Sequence, residues 1–257
     1  EAGWKIIGLP VFSKRKPVYT FLFCRSDAGI ETPRDLEGKR IGSSSYPTGI
    51  TVWLQGFLQH LHGVDISKLR WITSSPGRVF PLHKSEPKVE AADDPKKSPV
   101  QRLLDGEVDA IITDISDGKA FRTLEGSLQV KRLFPDYVEE DRRLYRDTGI
   151  YTTMHQIVMS KKLDRSHPEL AGKLFAAFEE AKRLAYEDIL NDRAGFSVVY
   201  LRERLVEQTA EWGDPWKYGV KANKSVIDAF VSYCAEQGIT GRRLSYEEFF
   251  AAGALET

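Results

Sequence analysis

The segment 42–51, GSSSYPTGIT, groups serine, tyrosine and threonine hydroxyls where a strand pattern stops and a helix pattern begins near Thr48. The first N–H groups of a helix have no intrahelical partner and carry partial positive charge, so a carboxylate or phosphate can bind there. The pattern indicates a small-anion site, with Ser44, Ser45, Tyr46 and Thr48 as candidate binding residues; the alternative is a hydroxyl that only caps the helix. Neither GxGxxG nor GxxxxGK[ST] occurs, which argues against a dinucleotide or a P-loop nucleotide.

One of the five histidines, His155, lies at the entrance of an apolar strand pattern, MHQIVMSKK at 154–162. A strand end can present a titratable imidazole to a ligand, which makes His155 a candidate acid or base; the alternative is a half-buried ring that pairs locally. His60 and His62 are two residues apart, which points them in different directions on a helix, and HExxH is absent. We therefore predict no metal-ligand group and no cofactor, and leave a divalent metal open.

Three charged residues are candidates for contact with a carboxylate ligand. Arg25 ends a buried strand pattern and Arg78 lies in a Pro- and Lys-rich stretch, and either guanidinium could pair bidentately with a carboxylate. Asp114 follows the apolar run AIIT and could act as an acid, a base or a contact, or could cap a turn. The aromatic segment WGDPWKYG at 212–219 would suit a wall over a flat ligand, although a hydrophobic corner is the ordinary interpretation. No GxSxG or SxxK pattern indicates a covalent nucleophile.

The composition places these candidates in a globular chain of 257 residues, enough for one large domain or two small ones. The 37 basic and 37 acidic residues cancel, which removes the bulk electrostatic argument for nucleic acid or an anionic membrane. No apolar run approaches the roughly 18 residues of a spanning helix, and the first residues lack an export-signal pattern. We predict a cytoplasmic protein, or a periplasmic one if an export signal has been removed. Cys24 and Cys234 are predicted to be packed thiols.

Strand and helix patterns alternate from residue 18 to residue 160. VYTFLFCR at 18–25 is an uninterrupted β-branched and aromatic run, and apolar residues recur with helical spacing from Ile50 to His62, up to Gly63. Residues 74–99 have no period and predict a long surface excursion. The alternation predicts an α/β fold with a parallel or mixed sheet covered by helices. The remaining predictions here are strands at 69–73 and 154–162, a helix followed by a strand within 100–114, and a solvated helix over 130–148.

The C-terminal hundred residues are predicted to be mostly helical. Ser166, Pro168 and Glu169 have the types and spacing of a helix start, and Ser245 with Glu248 forms a capping-box pattern. The predicted helices run from Ser166 past Tyr186 and over 196–210, 225–237 and 245–252.

Six segments, taken together and in order, resemble the 4,5-dihydroxyphthalate decarboxylase family. They are FLFCRSDAGIETPRDLEGKRIG, SSYPTGITVWLQGFL, LLDGEVDAIIT, RLFPDY, TGIYTTMHQIVMSKKL and DPWKYGVKAN, and the likeness runs from about residue 10 to residue 250. That family is similar to the periplasmic solute-binding proteins. The resemblance implies a two-lobed type II fold with mixed sheets and hinge strands near 18–25 and 151–160. One lobe would be 26–150, and the second, helix-rich lobe would combine 1–25 with 151–257, its N-terminal part apparently missing.

The resemblance also implies a reaction, the non-oxidative loss of CO2 from a hydroxylated aromatic dicarboxylate. Such a site needs an acid near the ring, donors for the retained carboxylate and a dry pocket around the departing one. The implied roles are His155 as the acid or the contact to a ring hydroxyl, Tyr46 and Thr48 as carboxylate binders, Arg25 or Arg78 as their charge partner, and Trp53 as part of the wall.

Two positions depart from the family pattern, which commonly has an acidic residue where Ser45 stands and an arginine where Gln55 stands. A changed substrate is therefore open. The alternative function is that of a solute-binding protein of an ABC-type transporter for a small carboxylate or aromatic acid, because one scaffold hosts unrelated functions. A homo-oligomer is left open, and nucleic acid and a membrane span are not expected.

Overall fold

The computed structural model describes residues 5–75, 88–112 and 118–257. In these ranges the strands are β1 (Ile6–Gly8), β2 (Lys14–Arg15), β3 (Leu22–Arg25), β4 (Arg40–Ser43), β5 (Arg70–Thr73), β6 (Lys88–Ala91), β7 (Ala110–Ile112), β8 (Val130–Arg132), β9 (Thr153–His155) and β10 (Val158–Ser160). The α-helices are α1 (Gly49–His62), α2 (Pro99–Leu104), α3 (Gly118–Glu125), α4 (Tyr137–Thr148), α5 (Lys161–Ser166), α6 (Leu170–Leu190), α7 (Leu201–Trp212), α8 (Lys224–Glu236) and α9 (Tyr246–Phe249).

The chain divides into two compact units. The sheet unit comprises Pro17–Thr148 and Asp228–Arg243, and the helical unit comprises Glu1–Lys16, Gly149–Ile227 and Leu244–Thr257. The division differs from the predicted lobes at the predicted hinge strand 18–25, because β3 is hydrogen-bonded into the large sheet.

The segment 228–243 also joins the sheet unit rather than the second lobe. Its aromatic side chains pack on α1: Phe230 and Tyr233 lie with ring centroids 5.1 and 5.9 Å from that of Trp53.

A six-stranded sheet forms the centre of the sheet unit, in the order β6-β5-β4-β7-β3-β8. The strands β4, β5, β6 and β7 are parallel to one another, whereas β3 is antiparallel to both β7 and β8. The predicted α/β class with a mixed sheet is confirmed.

The spacing of apolar residues explains why helix α1 forms, and the glycine that follows it explains where the helix ends. Its buried positions include Ile50, Trp53 and Phe57, which fall on one face, and Gly63 ends it in the left-handed region at φ 65°. The prediction of a helix up to Gly63 is confirmed. Gly56 lets the helix approach its neighbour, since a Cβ there would lie 2.2 Å from the ring of Tyr233.

Three predicted elements need correction. The excursion 74–99 contains strand β6, which pairs in parallel with β5. The span 130–148 begins with β8, which pairs with β3, before α4 starts. Ser166 ends α5 instead of starting a helix, because its hydroxyl donates to the carbonyl of Lys162 at 3.0 Å, and α6 begins only at Leu170. The predicted capping box of Ser245 and Glu248 is present at α9.

The helical unit contains two short antiparallel ladders, β1 with β10 and β2 with β9. The predicted single strand 154–162 is thus divided between two ladders. A small core packs beside the first ladder and includes Leu9, Val11 and Met159. Within the described ranges, none of the helices combines the length and apolarity that crossing a bilayer would require.

Candidate functional site

The carboxyl ends of the parallel strands β4, β5 and β7 meet at one edge of the large sheet. The connection from β4 leads to β5 on one side, and the chain after β7 leads to β8 on the other. In open α/β sheets, ligands bind at such a switch point, outside the carboxyl ends of the strands. Since β4 ends at Ser43, the loop 43–48 leaves the sheet there, and this edge is the candidate binding site of the sheet unit.

Thr48 and Thr51 cap the start of α1 reciprocally. The Thr48 hydroxyl accepts from the Thr51 N–H at 3.3 Å, and the Thr51 hydroxyl accepts from the Thr48 N–H at 2.8 Å. The first helical bond runs from the N–H of Val52 to the carbonyl of Thr48 at 3.0 Å. The N–H groups of Gly49 and Ile50 are therefore the two that the helix does not itself satisfy. The capping interpretation of Thr48 is confirmed, and the small-anion site stays a prediction.

The serines before α1 differ in accessibility. Ser43 is buried and donates from its hydroxyl to the carbonyl of Ser45 at 2.9 Å, while Ser44 is exposed and Ser45 is half-buried. This side-chain bond tightens the turn that follows β4. The hydroxyl of Ser44 is therefore the most accessible of the three to a ligand.

The side chain of Tyr46 is directed into the protein. It is 1% exposed, and its ring lies with the centroid 4.9 Å from that of Trp71. Its hydroxyl is 3.2 Å from Nε2 of Gln55, which is itself buried and also 3.2 Å from Oε1 of Gln237. Tyr46 thus anchors the loop through a buried amide network, and its hydroxyl is enclosed by protein groups.

A second hydroxyl-bearing turn lies at the same edge and was missed in the sequence analysis. β5 ends at Thr73, whose hydroxyl accepts from the N–H of Ser75 at 3.3 Å, and Ser74 donates to the carbonyl of Lys97 at 3.3 Å. The signal was present, since the run ITSS follows a strand just as GSSS does. Nearby on β5, the buried indole N–H of Trp71 has no acceptor within the described ranges, so a further donor stands beside Tyr46.

Arg25 lies at the opposite end of the sheet from loop 43–48. Strand β3 pairs antiparallel with β7, with Leu22 opposite Ile112, so β3 ends where β7 begins. The guanidinium binds Asp27 bidentately at 2.8 and 2.5 Å, which raises its pKa. The structure does not bring Arg25 together with Tyr46 and Thr48, its predicted partners in carboxylate binding, and the guanidinium forms a local ion pair instead.

The other predicted members of the site divide into one core residue and two residues outside the described ranges. Trp53 has 0% exposure and packs between Phe57 and Phe230, with centroid distances of 5.6 and 5.1 Å. It is thus part of the core of the sheet unit, where no surface is left for a ligand wall. Arg78 and Asp114 lie outside the residues that the structure describes.

His155 lies in the helical unit, at the end of β9. Its backbone pairs with Lys14 of β2, and its side chain is exposed. The alternative prediction for His155, a half-buried imidazole that pairs locally, is therefore wrong. The ring is accessible to a ligand or to solvent, as a proton donor requires.

The aromatic segment 212–219 forms a corner in the helical unit. The rings of Trp212 and Trp216 lie with centroids 5.7 and 6.1 Å from that of Tyr151. Asp214 fixes the turn by accepting from the N–H of Trp216 at 2.8 Å and by pairing with Lys182 at 3.1 Å. The ordinary interpretation as an aromatic corner accounts for these contacts.

The two histidines at the end of α1 have separate partners. His60 pairs with Glu236 at 2.6 Å, and Nε2 of His62 is 3.0 Å from the hydroxyl of Tyr19. Burial lowers the pKa of His62. Across the ranges that the structure describes, no group of three or more His, Cys, Asp or Glu side chains is arranged to hold a metal ion.

The sheet unit therefore presents amide and hydroxyl groups at the start of α1, and the helical unit separately carries the exposed His155. The 4,5-dihydroxyphthalate decarboxylase of Comamonas testosteroni is 32% identical over 259 residues, which cover 98% of this chain and 77% of that protein. The enzyme of the same name from Pseudomonas putida is 34% identical over 111 residues, which cover 41% of this chain and 43% of that protein. The chain belongs to the 4,5-dihydroxyphthalate decarboxylase family.

Among solved structures, the chain is similar to two periplasmic binding proteins. The putative sulfonate-binding protein SsuA of Methylobacillus flagellatus KT has a TM-score of 0.49 at 13% identity, covering 90% of this chain and 62% of that one. The aliphatic sulphonate binding protein SsuA of Escherichia coli has a TM-score of 0.48 at 11% identity, covering 97% of this chain and 70% of that one. No protein-family model matches the chain.

Proposed function

We propose that the chain is a carboxy-lyase that removes CO2, without oxidation, from a hydroxylated aromatic dicarboxylate such as 4,5-dihydroxyphthalate. The observation that carries this proposal is the 32% identity to a 4,5-dihydroxyphthalate decarboxylase over 98% of the chain. The capped α1 start, with its two remaining amide donors, supports a ligand that keeps a negative charge throughout the reaction.

The proposed reaction replaces one carboxylate by a proton. The ring hydroxyls donate electron density, the ring carbon that bears the carboxylate takes a proton, and the bond to the carboxylate breaks as CO2 leaves. The electron pair of that bond restores the aromatic ring. For 4,5-dihydroxyphthalate the product is 3,4-dihydroxybenzoate, and each turnover consumes one proton. The enzyme must therefore bind the retained carboxylate and supply a proton at a ring carbon.

We assign carboxylate binding to the loop 43–48 and the first turn of α1. The N–H groups of Gly49 and Ile50 are the donors that the helix leaves, and the exposed Ser44 hydroxyl lies in the same loop. A carboxylate there is favoured by the partial positive charge of a 14-residue helix. Arg78 and Asp114 remain proposed ligand contacts.

We assign the proton to His155. An imidazole nitrogen can carry a proton and donate it to a bound ligand. Its exposed position on β9 supports this role, since a proton donor must reach the ligand. The alternative, a contact to a ring hydroxyl, makes a different prediction, because a neutral hydrogen-bonding side chain would then substitute for it in part.

The test is turnover of 4,5-dihydroxyphthalate, followed by CO2 release and by chromatography of 3,4-dihydroxybenzoate. We expect His155→Ala to lose about 100-fold or more in kcat, within the usual contribution of general acid catalysis, with KM little changed. His155→Gln retaining a substantial part of kcat would favour the hydroxyl contact. Full activity of His155→Ala would remove His155 from the mechanism.

A matched variant, His167→Ala, removes an exposed imidazole of the same unit and should leave kcat unchanged.

The assay is repeated after chelation, where a loss of activity that Mg²⁺, Mn²⁺ or Zn²⁺ restores would identify a metal requirement. Tight binding of the dicarboxylate with no CO2 from the unaltered chain would refute the lyase and support the carrier.

A further inference from the structure

The strand that carries His155 is held by a very short ladder. β2 has two residues and β9 has three, with Lys14 opposite His155 and a shift of register before Arg15. A ladder of this length is too short to fix its own position, because only a few backbone bonds resist sliding and fraying. Backbone bonds flank β9, from the N–H of Lys16 to the carbonyl of Thr152 and from the N–H of Ile157 to the carbonyl of Val11, and a side-chain contact to a further segment adds to them.

The side chain of Arg15 makes that contact. It is 4% exposed, and its guanidinium donates to the carbonyl of Tyr151 at 2.8 Å, to the carbonyl of Lys217 at 2.7 Å and to Oδ1 of Asn223 at 2.5 Å. One planar, five-donor group thus joins β2, the residues that lead into β9 and the segment 217–223. Lysine could not reproduce these three directions from a single ammonium.

Asn223 accepts one of the three hydrogen bonds from Arg15 and fixes the segment 217–223, which receives two of them. It is 2% exposed, and its Nδ2 donates to the carbonyls of Lys217 and Gly219 at 3.0 and 2.8 Å. Gly219 in turn donates its N–H to the carbonyl of Pro10 at 2.8 Å. The segment that receives the guanidinium is therefore itself fixed by side-chain and backbone bonds, and it provides a rigid support.

We propose that Arg15 and Asn223 are positioning residues for the reaction: they clamp β9 so that the imidazole of His155 is presented in its working position. The proposal rests on the proposed function, in which His155 supplies the proton. Both side chains are buried, so we assign them a role that acts through β9. A displacement of about 1 Å at a reacting group costs on the order of 100-fold in rate, so loosening the clamp should lower kcat with little effect on KM.

The test compares Arg15→Lys and Asn223→Ala with a matched control, Arg102→Lys. Arg102 is a 2% exposed arginine of the sheet unit, bonded to Glu107 at 3.0 Å, so its replacement is the same change at a buried site in the other unit. The clamp variants should lose about 10- to 100-fold in kcat with KM within about twofold. Hydrogen exchange of the peptide spanning 151–157 should be faster in both of them, while Arg102→Lys should change neither quantity.

Two results would overturn the proposal, both measured well below the thermal midpoint of each variant. One is unchanged kcat in folded Arg15→Lys and Asn223→Ala. The other is unchanged exchange of the 151–157 peptide with only a lower Tm, which is the signature of a purely structural role. If Arg15→Lys fails to fold, Asn223→Ala decides, because it leaves the guanidinium two backbone acceptors.

Failure of the proposed function gives a different pattern. If the unaltered chain does not decarboxylate the substrate, or if His155→Ala keeps full kcat, the catalytic assignment is lost. Faster exchange at 151–157 would then show a clamp on β9 without a catalytic purpose, and the positioning proposal would be refuted together with the assignment of His155.

Discussion

Replacing Gly56 by alanine would place a methyl group inside the contact between α1 and α8. The added Cβ would lie 2.2, 2.3 and 2.5 Å from three ring atoms of Tyr233, far below van der Waals contact. That ring is itself confined, since Tyr233 is 8% exposed and stacks on His60 with a centroid distance of 5.2 Å. The clash must therefore be relieved by moving a helix or by forcing the ring out of its packing.

The magnitude follows from two opposing effects. Overpacking a buried contact costs about 1–3 kcal/mol, and an aromatic ring approached this closely belongs at the upper end. Alanine returns about 1 kcal/mol of helix propensity relative to glycine. The free energy of unfolding of the sheet unit should fall by about 2 kcal/mol, which lowers the thermal midpoint by roughly 4–8 °C for a unit of this size.

The assay is urea unfolding followed by circular dichroism, with the thermal midpoint as a second readout. Gly118→Ala is the matched control in the same unit, because among the described residues the atom near its new Cβ is Nη1 of Arg122 at an ordinary 3.5 Å. It should be neutral or slightly stabilising. A Gly56→Ala variant as stable as the unaltered chain would refute the close approach of the two helices.

Two further predictions concern buried polar groups of the sheet unit. Thr51→Val keeps the shape of a fully buried side chain but leaves the Thr48 N–H without its acceptor. The free energy of unfolding should fall by about 1–2 kcal/mol, and KM for the dicarboxylate should rise. An unchanged KM would argue against a carboxylate at this helix start. Burial raises the pKa of Asp141 to about 7 despite bonds from the N–H groups of Val18 and Tyr19. Because the folded pKa exceeds the unfolded one, the stability contributed by the protonated acid should be lost as pH rises from about 4 to 7. Asp141→Asn should remove that part of the decline, and equal pH slopes for both proteins would contradict it.

Local sequence patterns predicted the elements whose formation depends mainly on neighbouring residues in the chain. Apolar spacing and a left-handed glycine specify α1, and a reciprocal pair of side chains specifies the start of α9 at Ser245. Strand β6 was not predicted from the Pro- and Lys-rich stretch, because an exposed edge strand has no apolar pattern and forms by pairing with the strand beside it, here β5. At Ser166 a competing bond to the preceding helix replaced the expected cap.

The candidate site shows the same limit at a larger scale. The sequence located the loop 43–48 and the capping threonines, because both depend on neighbouring residues. It could not give the direction of β3, and antiparallel pairing puts Arg25 at the other end of the sheet. Nor could it show that Tyr46 and Trp53 face the protein interior, since an aromatic side chain beside a polar turn suits a pocket and a core equally. Arg15 gave no signal, because its three acceptors come from distant segments.

The most direct measurement of the central claim is turnover of 4,5-dihydroxyphthalate in D2O, with CO2 quantified and the product examined by mass spectrometry and proton NMR. A decarboxylase that protonates the ring carbon will release one CO2 per molecule of 3,4-dihydroxybenzoate and will place one deuterium on the carbon that lost the carboxylate. Recovery of the dicarboxylate bound but chemically unchanged would contradict the account.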